Sequence, residues 1–266
     1  MCTVTFVPRK RGYILGMNRD EKRTRPKGLP PTRRKFGNRS IICPSEPSGG
    51  TWIALNDRGV TLAVINWYSV SLRARGNVVS RGEIIPAVGA AENSRALARS
   101  LAPLPFDRIN PFRLIGVFPA TEQIVEWQWD LQELTHRSCL WKSQQWISSG
   151  FDEFKAQEIR NRSFEKFQNQ ASTGTTDWLR RLHCSHSPGR GPFSTCMHRS
   201  DAVTVSYTEI SISPSQQLLY YKGGSPCAWQ NACNLFTRFV EPYRPLMGLS
   251  LSMSSMHRGQ RPPVAQ

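Results

Sequence analysis

Cys2 is the residue of this sequence best placed to do chemistry, because it directly follows the initiator methionine. Cysteine is small enough to allow removal of Met1, and the mature chain would then begin with a residue that carries both a thiol and a free α-amine. Such an amine titrates near about 7.7–8.0, so part of it is neutral at physiological pH and can accept the thiol proton. One residue would therefore supply both a nucleophile and its base.

A polar run at residues 18–21, Asn-Arg-Asp-Glu, ends an apolar segment close to the amino terminus. The segments 3–7 and 13–17 are β-branched and aromatic and flank a Pro/Gly-containing turn, which predicts a β-hairpin. Antiparallel pairing lays the end of the second strand beside the start of the first. We therefore expect the polar run to lie next to Cys2. A strand that leaves its sheet through a polar turn is the alternative interpretation.

A nucleophile of this kind needs groups that orient the amine, hold charge and stabilise an oxyanion. We predict that Asp20 orients the amine, and that Arg19 holds local charge or a substrate carboxylate. Asn66, at the end of an apolar segment, is our predicted oxyanion donor. Substrate contacts are predicted for Asn18, Trp52, Trp67 and Arg199. An arginine can bind a carboxylate bidentately, although an ordinary polar reversal also explains position 199.

A second group of reactive side chains lies within sixteen residues and consists of His183, Cys184, His186, Cys196 and His198. Thiolates and imidazoles bind zinc or haem. The spacing matches neither C-x-x-C nor the paired histidines of common zinc motifs, so we assign no metal. We interpret Cys196 as a buried strand residue, and His183 and His186 as residues that cap the end of a helix.

The remaining pattern predicts hairpins separated by helical blocks, which is typical of an α+β fold with antiparallel sheets. A long proline-rich loop is expected after the first hairpin, up to residue 50. The further predicted strands are 51–55, 60–67, 112–118, 122–129, 138–142, 192–198, 202–213 and 218–222. The predicted helices are 81–104, 150–168 and 175–183. We expect one domain over residues 1–225 and a flexible extension over 226–266.

The net charge of +16 is concentrated at the amino terminus, where residues 1–40 carry twelve Lys and Arg against two acidic residues. Few aromatic residues accompany these basic ones, which argues against nucleic-acid binding. We expect no secretory signal and no integral membrane segment, because no apolar run approaches the roughly 20 residues of a membrane span. Seven cysteines form no regular framework, which favours a reducing, cytoplasmic compartment. No glycine-rich nucleotide motif is present.

Several ordered motifs resemble the NRDE family, also called the transport-and-Golgi-organisation family: MCTV, NRDE, GGTWIALNDRG, SRGE and the later DAVTVSYTEI. The resemblance implies an αββα sandwich of two antiparallel sheets between helical layers, as in N-terminal-nucleophile hydrolases, with Cys2 as the thiol. Many members carry a Leu-Ser-Asn segment after the middle strands. Here the matching stretch, residues 146–153, offers Ser148 and Ser149 instead. Members of the family are also linked to haem handling.

Two functions follow as hypotheses. The first is a Cys2-dependent hydrolase that acts on non-peptide C–N amide bonds of a small molecule. The second is a non-catalytic protein that binds or traffics haem or another anionic small ligand. In the second, the basic amino-terminal loop attracts the propionates, and Trp52 and Trp67 contact the macrocycle. No cofactor is assigned, and haem is considered only as a ligand.

Overall fold

The computed structural model of the chain describes residues 1–228 and, for the backbone alone, 237–241. Its strands are β1 Cys2–Arg9, β2 Gly12–Lys22, β3 Leu29–Phe36, β4 Arg39–Ser45, β5 Ile53–Asn56, β6 Thr61–Asn66, β7 Phe112–Phe118, β8 Gln123–Trp129, β9 Leu134–Cys139, β10 Gln144–Ser148, β11 Ala202–Ile212, β12 Gln217–Gly223 and β13 Thr237–Glu241. Its α-helices are α1 Ile84–Val88, α2 Ser94–Leu101, α3 Glu153–Gln168 and α4 Thr176–Cys184.

Two antiparallel sheets form the centre of the fold, as expected. The first has the strand order β10-β1-β2-β11-β12-β13, and the second runs from β3 to β9 in sequence order. The predicted hairpin over residues 3–17 is confirmed, and its register pairs Cys2 with Arg19. Strand β10 lies on the other side of β1 and pairs Ser148 with Cys2. Cys2 is therefore flanked on both sides within the sheet.

Helices cover the outer faces of both sheets, which gives the αββα layering. One apolar cluster, including Val4, Leu15, Ile65 and Ile210, fills the space between the sheets. A second cluster packs α1 and α2 on the outer face of the second sheet. A third packs α3 and α4 on the outer face of the first sheet, against side chains such as Ile14.

The prediction of a long proline-rich loop up to residue 50 was wrong, because β3 and β4 form a hairpin within it. Pro30 and Pro31 are compatible with a strand here because β3 is the edge of its sheet and its register shifts between Leu29 and Thr32. A proline cannot donate a ladder hydrogen bond, so it is tolerated at edges and irregularities.

The predicted helix 81–104 is divided into α1 and α2. The side chain of Asn93 accepts the backbone N–H of Ala96 and starts the second helix. The amide of Asn56 donates to the carbonyls of Gly89 and Ala91, which the break would otherwise leave without partners. The expected strand 138–142 is replaced by β9, which begins at Leu134 and ends at Cys139.

Segment 192–198 is not the predicted strand. Its backbone bonds to neighbouring loop residues, with the Cys196 N–H donating to the Ser185 carbonyl and the His198 N–H donating to that of Gly191. Most of the predicted extension 226–266 lies outside the described residues; its described part includes β13, which pairs with β12. None of the helices within the described part of the chain has the length and apolar character to cross a membrane.

Candidate functional site

Cys2 lies on the wall of a cavity of about 260 Å³ between the two sheets. Strand β1 supplies Cys2, and β2 supplies Arg19 and Glu21. The opposite wall comes from the second sheet and from the segment between β6 and β7. The lining residues include Glu46, Trp52, Asn66, Arg81 and Asn110. The cavity thus combines one thiol with charged, amide and aromatic groups, and a small polar molecule would contact all three kinds.

Strand alternation divides the polar run into two pairs. Arg19 and Glu21 line the cavity. Asn18 and Asp20 lie on the opposite face of β2, toward α3 and α4, and both are fully buried. The run therefore lies beside Cys2, as the predicted hairpin requires, but its two pairs of residues face different layers of the fold.

Arg19 is held in the cavity by three partners. Its Nη2 lies 2.5 Å from Glu46 Oε1 and 3.2 Å from a Glu21 oxygen. Its guanidinium also lies 4.1 Å from the centroid of the Trp52 ring. Arg25 bonds the same Glu46 carboxylate at 2.7 and 2.8 Å. A planar guanidinium held in this way keeps a fixed positive charge next to Cys2.

Asp20 is fully buried on the helix-facing side of β2. One carboxylate oxygen accepts the Thr204 hydroxyl at 2.6 Å, and the other lies 3.6 Å from Arg160 Nη1, which is itself fully buried. Burial raises the pKa of Asp20, although the charge of Arg160 opposes the rise. The carboxylate makes no direct hydrogen bond to Cys2 within the described residues. Its effect on that residue is electrostatic.

Met1 directly precedes β1 and bonds to Asp20 of β2. Its α-ammonium donates to the Asp20 carbonyl at 3.0 Å, and the Asp20 N–H donates to the Met1 carbonyl at 2.8 Å. Burial opposes the charge, but Tyr68, Cys2 and the carboxylates of Glu21 and Asp20 outweigh it and raise the pKa of the amine to about 10.

The Cys2 thiol is only 7% exposed. Burial raises its pKa, and the carboxylate of Asp20 adds to the rise. The amino-terminal ammonium and Arg19 act in the opposite direction and favour the thiolate. In the unprocessed chain the nitrogen of Cys2 is a peptide nitrogen, so it offers no base to remove the thiol proton.

Two polar side chains near Cys2 are suited to bind an oxyanion. Asn66 lines the cavity, and its amide donates to the Tyr68 hydroxyl at 2.7 Å, which leaves a second N–H on the same nitrogen. Ser148 pairs directly with Cys2, and its buried hydroxyl has no hydrogen-bond partner within the described residues. Ser149 lies close by, with its hydroxyl 3.9 Å from the Met1 sulfur.

Of the four residues with predicted substrate contacts, only Trp52 lines this cavity. Both N–H groups of the Asn18 amide are used on the carbonyls of His183 and Thr195, which makes Asn18 part of the framework. Trp67 lies outside the lining. Arg199 forms a bidentate pair with Asp201 and lies 4.0 Å from the Met1 sulfur, at the edge of the site.

A larger cavity of about 530 Å³ adjoins the first and shares Arg19, Glu21 and Arg25 with it. Residues 22–28 and the start of β11 supply most of its wall. Its basic lining residues are Arg19, Lys22, Arg23, Arg25 and Lys27. This concentration of positive charge, together with the smaller site beside it, suits an anionic ligand.

The cysteine and histidine group is rearranged relative to the sequence-based interpretation. His183 does lie in the last turn of α4, but its ring is buried against Thr5 instead of capping the helix. Burial, helped by the charge of Arg160, lowers its pKa to about 3, which disfavours the imidazolium. His186, Cys196 and His198 instead converge with Cys227. Spacing rules missed this cluster because Cys227 is 29 residues from His198.

Comparison with known structures shows that this is the fold of N-terminal-nucleophile hydrolases. A C2A mutant of conjugated bile acid hydrolase from Clostridium perfringens superposes with a TM-score of 0.56 at 8% identity, over 92% of this chain and 97% of the other. Penicillin V acylase from Agrobacterium tumefaciens gives a TM-score of 0.51 at 10% identity, over 84% and 83%. A search of curated protein sequences finds no match.

The chain belongs to the Transport and Golgi organisation 2 family, whose model matches residues 1–170. The family resemblance that the amino-terminal motifs predicted is therefore confirmed. The matched region includes the cavity wall from Cys2 to Asn110, and it extends to Ser148.

Proposed function

We propose that this protein, after removal of Met1, is a hydrolase that uses Cys2 to cleave a non-peptide C–N amide bond in a small molecule. The observation that carries the proposal is the position of Cys2: it is the first residue of a central strand, on the wall of a cavity, with the cation of Arg19 paired beside it. The fold shared with the two hydrolases supports the same reaction class.

The reaction begins when the free α-amine of Cys2 takes the thiol proton. The thiolate sulfur then attacks the amide carbon, and the carbonyl electron pair moves to oxygen to give a tetrahedral oxyanion. Collapse of this intermediate breaks the C–N bond, and the leaving amine takes the proton from the α-ammonium. Water, deprotonated by the same amine, next attacks the acyl-thioester, which releases the carboxylic acid and restores the thiol.

The groups around Cys2 fit these steps. Removal of Met1 frees the backbone N–H and carbonyl of Asp20, both of which bond Met1 in the unprocessed chain, to face the new amine. The buried Asp20 carboxylate favours the ammonium form that donates to the leaving group. Arg19 favours the thiolate, and Asn66 and Ser148 supply donors to the oxyanion.

Loss of Met1 also opens room for a substrate. The Met1 sulfur occupies the space between the Ser149 hydroxyl and the guanidinium of Arg199. Without it, the cavity would extend toward Arg199, whose guanidinium also lies 4.8 Å from the Phe151 ring centroid. A substrate that carries a carboxylate and an apolar group would find a partner for each there.

The first test is the state of the amino terminus. We expect intact-mass measurement of tagless protein to show loss of Met1. We also expect 2-cyanobenzothiazole, which forms a stable ring only with a thiol and an amine on one residue, to label one site per chain. Labelling should be lost in Cys2→Ser and kept in Cys139→Ser, which removes a partly exposed cysteine elsewhere.

Turnover is the second test, with penicillin V and a glycine-conjugated bile acid as trial amides because the two similar structures are hydrolases of such compounds. Hydrolysis should fall by about 1,000-fold or more in Cys2→Ala. Retained Met1, or hydrolysis that survives Cys2→Ala, would contradict the mechanism.

A non-catalytic protein for an anionic ligand is the second candidate, and the basic cavity of about 530 Å³ favours it. Haem binding stays a prediction: Trp67 does not line the smaller cavity, and that cavity lies below the roughly 300–1,000 Å³ of typical ligand pockets. Titration with haem distinguishes the candidates, because a Soret shift of unchanged size in Cys2→Ala would favour the carrier. No shift at micromolar haem would exclude haem as its ligand.

A further inference from the structure

Four side chains with transition-metal ligand atoms meet behind the candidate site. They are His186, Cys196, His198 and Cys227, and their ligand atoms all lie within 4.8 Å of one another. They come from two parts of the chain: His186, Cys196 and His198 lie in the loop between α4 and β11, and Cys227 lies in the turn after β12. Cys227 is 29 residues from His198 in sequence, and the fold brings the two side chains together.

The distances match those in a tetrahedral metal site. His198 Nε2 lies 3.1 Å from His186 Nε2, 3.6 Å from Cys196 Sγ and 3.3 Å from Cys227 Sγ. When zinc is bound by nitrogen and sulfur at about 2.0–2.3 Å, tetrahedral geometry puts neighbouring ligand atoms about 3.3–3.8 Å apart. The cluster therefore needs little rearrangement to hold an ion.

We propose that these four residues bind a transition-metal ion of the zinc class. Two thiolates and two imidazoles form a soft set of ligands whose two negative charges neutralise a divalent cation, and this set in tetrahedral geometry is typical of structural zinc. Cys196 is fully buried, whereas the other three are partly exposed, so an ion can approach from the solvent side.

The second coordination shell requires one local movement. Arg190 Nη2 lies 3.4 Å from His198 Nδ1, and a guanidinium can only donate a hydrogen bond. An imidazole that binds metal through Nε2 carries its proton on Nδ1, so this contact breaks when the ion binds. Arg190 is exposed and can turn into solvent at little cost.

The position of the cluster indicates what a bound ion would do. The segment 185–201 contains no helix or strand, and loops of this length usually need a functional or structural reason. Next to Cys196, the Thr195 carbonyl accepts the Asn18 amide. The Met197 N–H donates to the hydroxyl of Thr204, which in turn donates to Asp20. A metal would thus fix the loop that supports the residues behind Cys2.

Cobalt titration of the reduced, tagless, full-length protein tests the proposal. We expect one Co²⁺ per chain, with the visible ligand-field bands of a tetrahedral ion and a near-ultraviolet thiolate charge-transfer band. Zn²⁺ should abolish both. Binding should weaken more than about 100-fold in Cys227→Ser and in His198→Ala, since loss of outer-shell partners alone costs about 10–100-fold.

Two matched variants control for general effects. Cys184→Ser removes a neighbouring half-buried thiol outside the cluster, and His136→Ala removes an exposed imidazole on β9. Both should bind Co²⁺ within twofold of the parent, and circular dichroism should show that all four variants are folded.

The proposal is overturned if the reduced parent protein binds no stoichiometric Co²⁺, or if the spectrum persists unchanged in Cys227→Ser and His198→Ala. It is also overturned if Cys196 and Cys227 form a disulfide in the purified protein and the protein still binds no metal after that disulfide is reduced. These outcomes are independent of the proposed hydrolysis, because Cys2 is not a ligand.

Discussion

The two faces of the β1–β2 hairpin carry similar polar groups and use them differently. On the helix-facing side, Asn18 and Asp20 are fully enclosed and bind framework groups such as Arg160. On the cavity side, Arg19 and Glu21 border open space and pair with partners that reach solvent. The difference shows that strand alternation places adjacent residues of one motif in the buried framework and on the cavity wall.

The largest effect is expected from removing the buried cation. Arg160→Met should lower the free energy of unfolding by about 3–5 kcal/mol, because it leaves the Asp20 carboxylate buried without its counter-charge. Arg162→Met, on the exposed side of the same helix, should change it by about 0.5 kcal/mol or less. Urea denaturation measures both, and equal effects would refute the division between the two faces.

The two asparagines allow a comparison between the faces with the same substitution. Asn18→Ala should lower the free energy of unfolding by about 2–3 kcal/mol, because it leaves the buried carbonyls of His183 and Thr195 without a donor. Asn66→Ala, on the cavity wall, should cost less than about 1 kcal/mol while it reduces turnover. A larger stability loss for Asn66→Ala than for Asn18→Ala would reverse the assignment.

The helix-facing side should also be sensitive to acid. Burial lowers the pKa of His183 to about 3, below its unfolded value of about 6.5. As pH falls from 6.5, the unfolded chain therefore takes up a proton that the native state does not. Stability should fall with a slope approaching about 1.4 kcal/mol per pH unit, or about 2 kcal/mol by pH 5.

Two variants separate the effect of His183 on the pH dependence of stability from that of Asp20, whose raised pKa acts with the opposite sign. His183→Gln should flatten the pH dependence of the unfolding free energy between pH 7 and 5. His136→Gln, which changes an exposed histidine on β9, should leave the slope as it is. A slope that is the same in both variants would show that His183 is not its source.

The smallest effect is expected on the cavity side. Arg25 pairs with Glu46 but is 45% exposed at its side chain, so Arg25→Gln should change the free energy of unfolding by about 0.5 kcal/mol. The difference should vanish at high salt, because exposed ion pairs are screened. A loss above 1 kcal/mol that persists in salt would mean that the cavity wall is structural as well.

Local patterns were enough to predict the central hairpin and its approach to Cys2. Alternating β-branched residues and a short turn determine the pairing of β1 with β2, and the register follows from them. The same reasoning failed for β3, where prolines normally exclude a strand. Local sequence does not show that this segment lies at a sheet edge, because its place in the sheet depends on strands more distant in sequence.

The rest of the candidate site depends on contacts between distant residues. Arg160 reaches Asp20 from a helix 140 residues away, and nothing in its surrounding sequence marks it as buried. Ser148 was noted only as a departure from the family pattern, and its pairing with Cys2 emerges from the sheet order. Cys227 joins the histidines only through the turn that follows β12.

The position of Met1 beside β2 limits when a peptidase could remove it. Its two hydrogen bonds to Asp20 continue the pairing of β1 with β2 by one residue and hold its amine against β2. A processing peptidase needs a free, extended end, so the removal of Met1 that the proposed mechanism requires would have to occur during synthesis, before the first hairpin closes. Under that proposal, a chain that folded first would keep Met1 and an inactive Cys2, so the processed fraction would limit the activity of the protein.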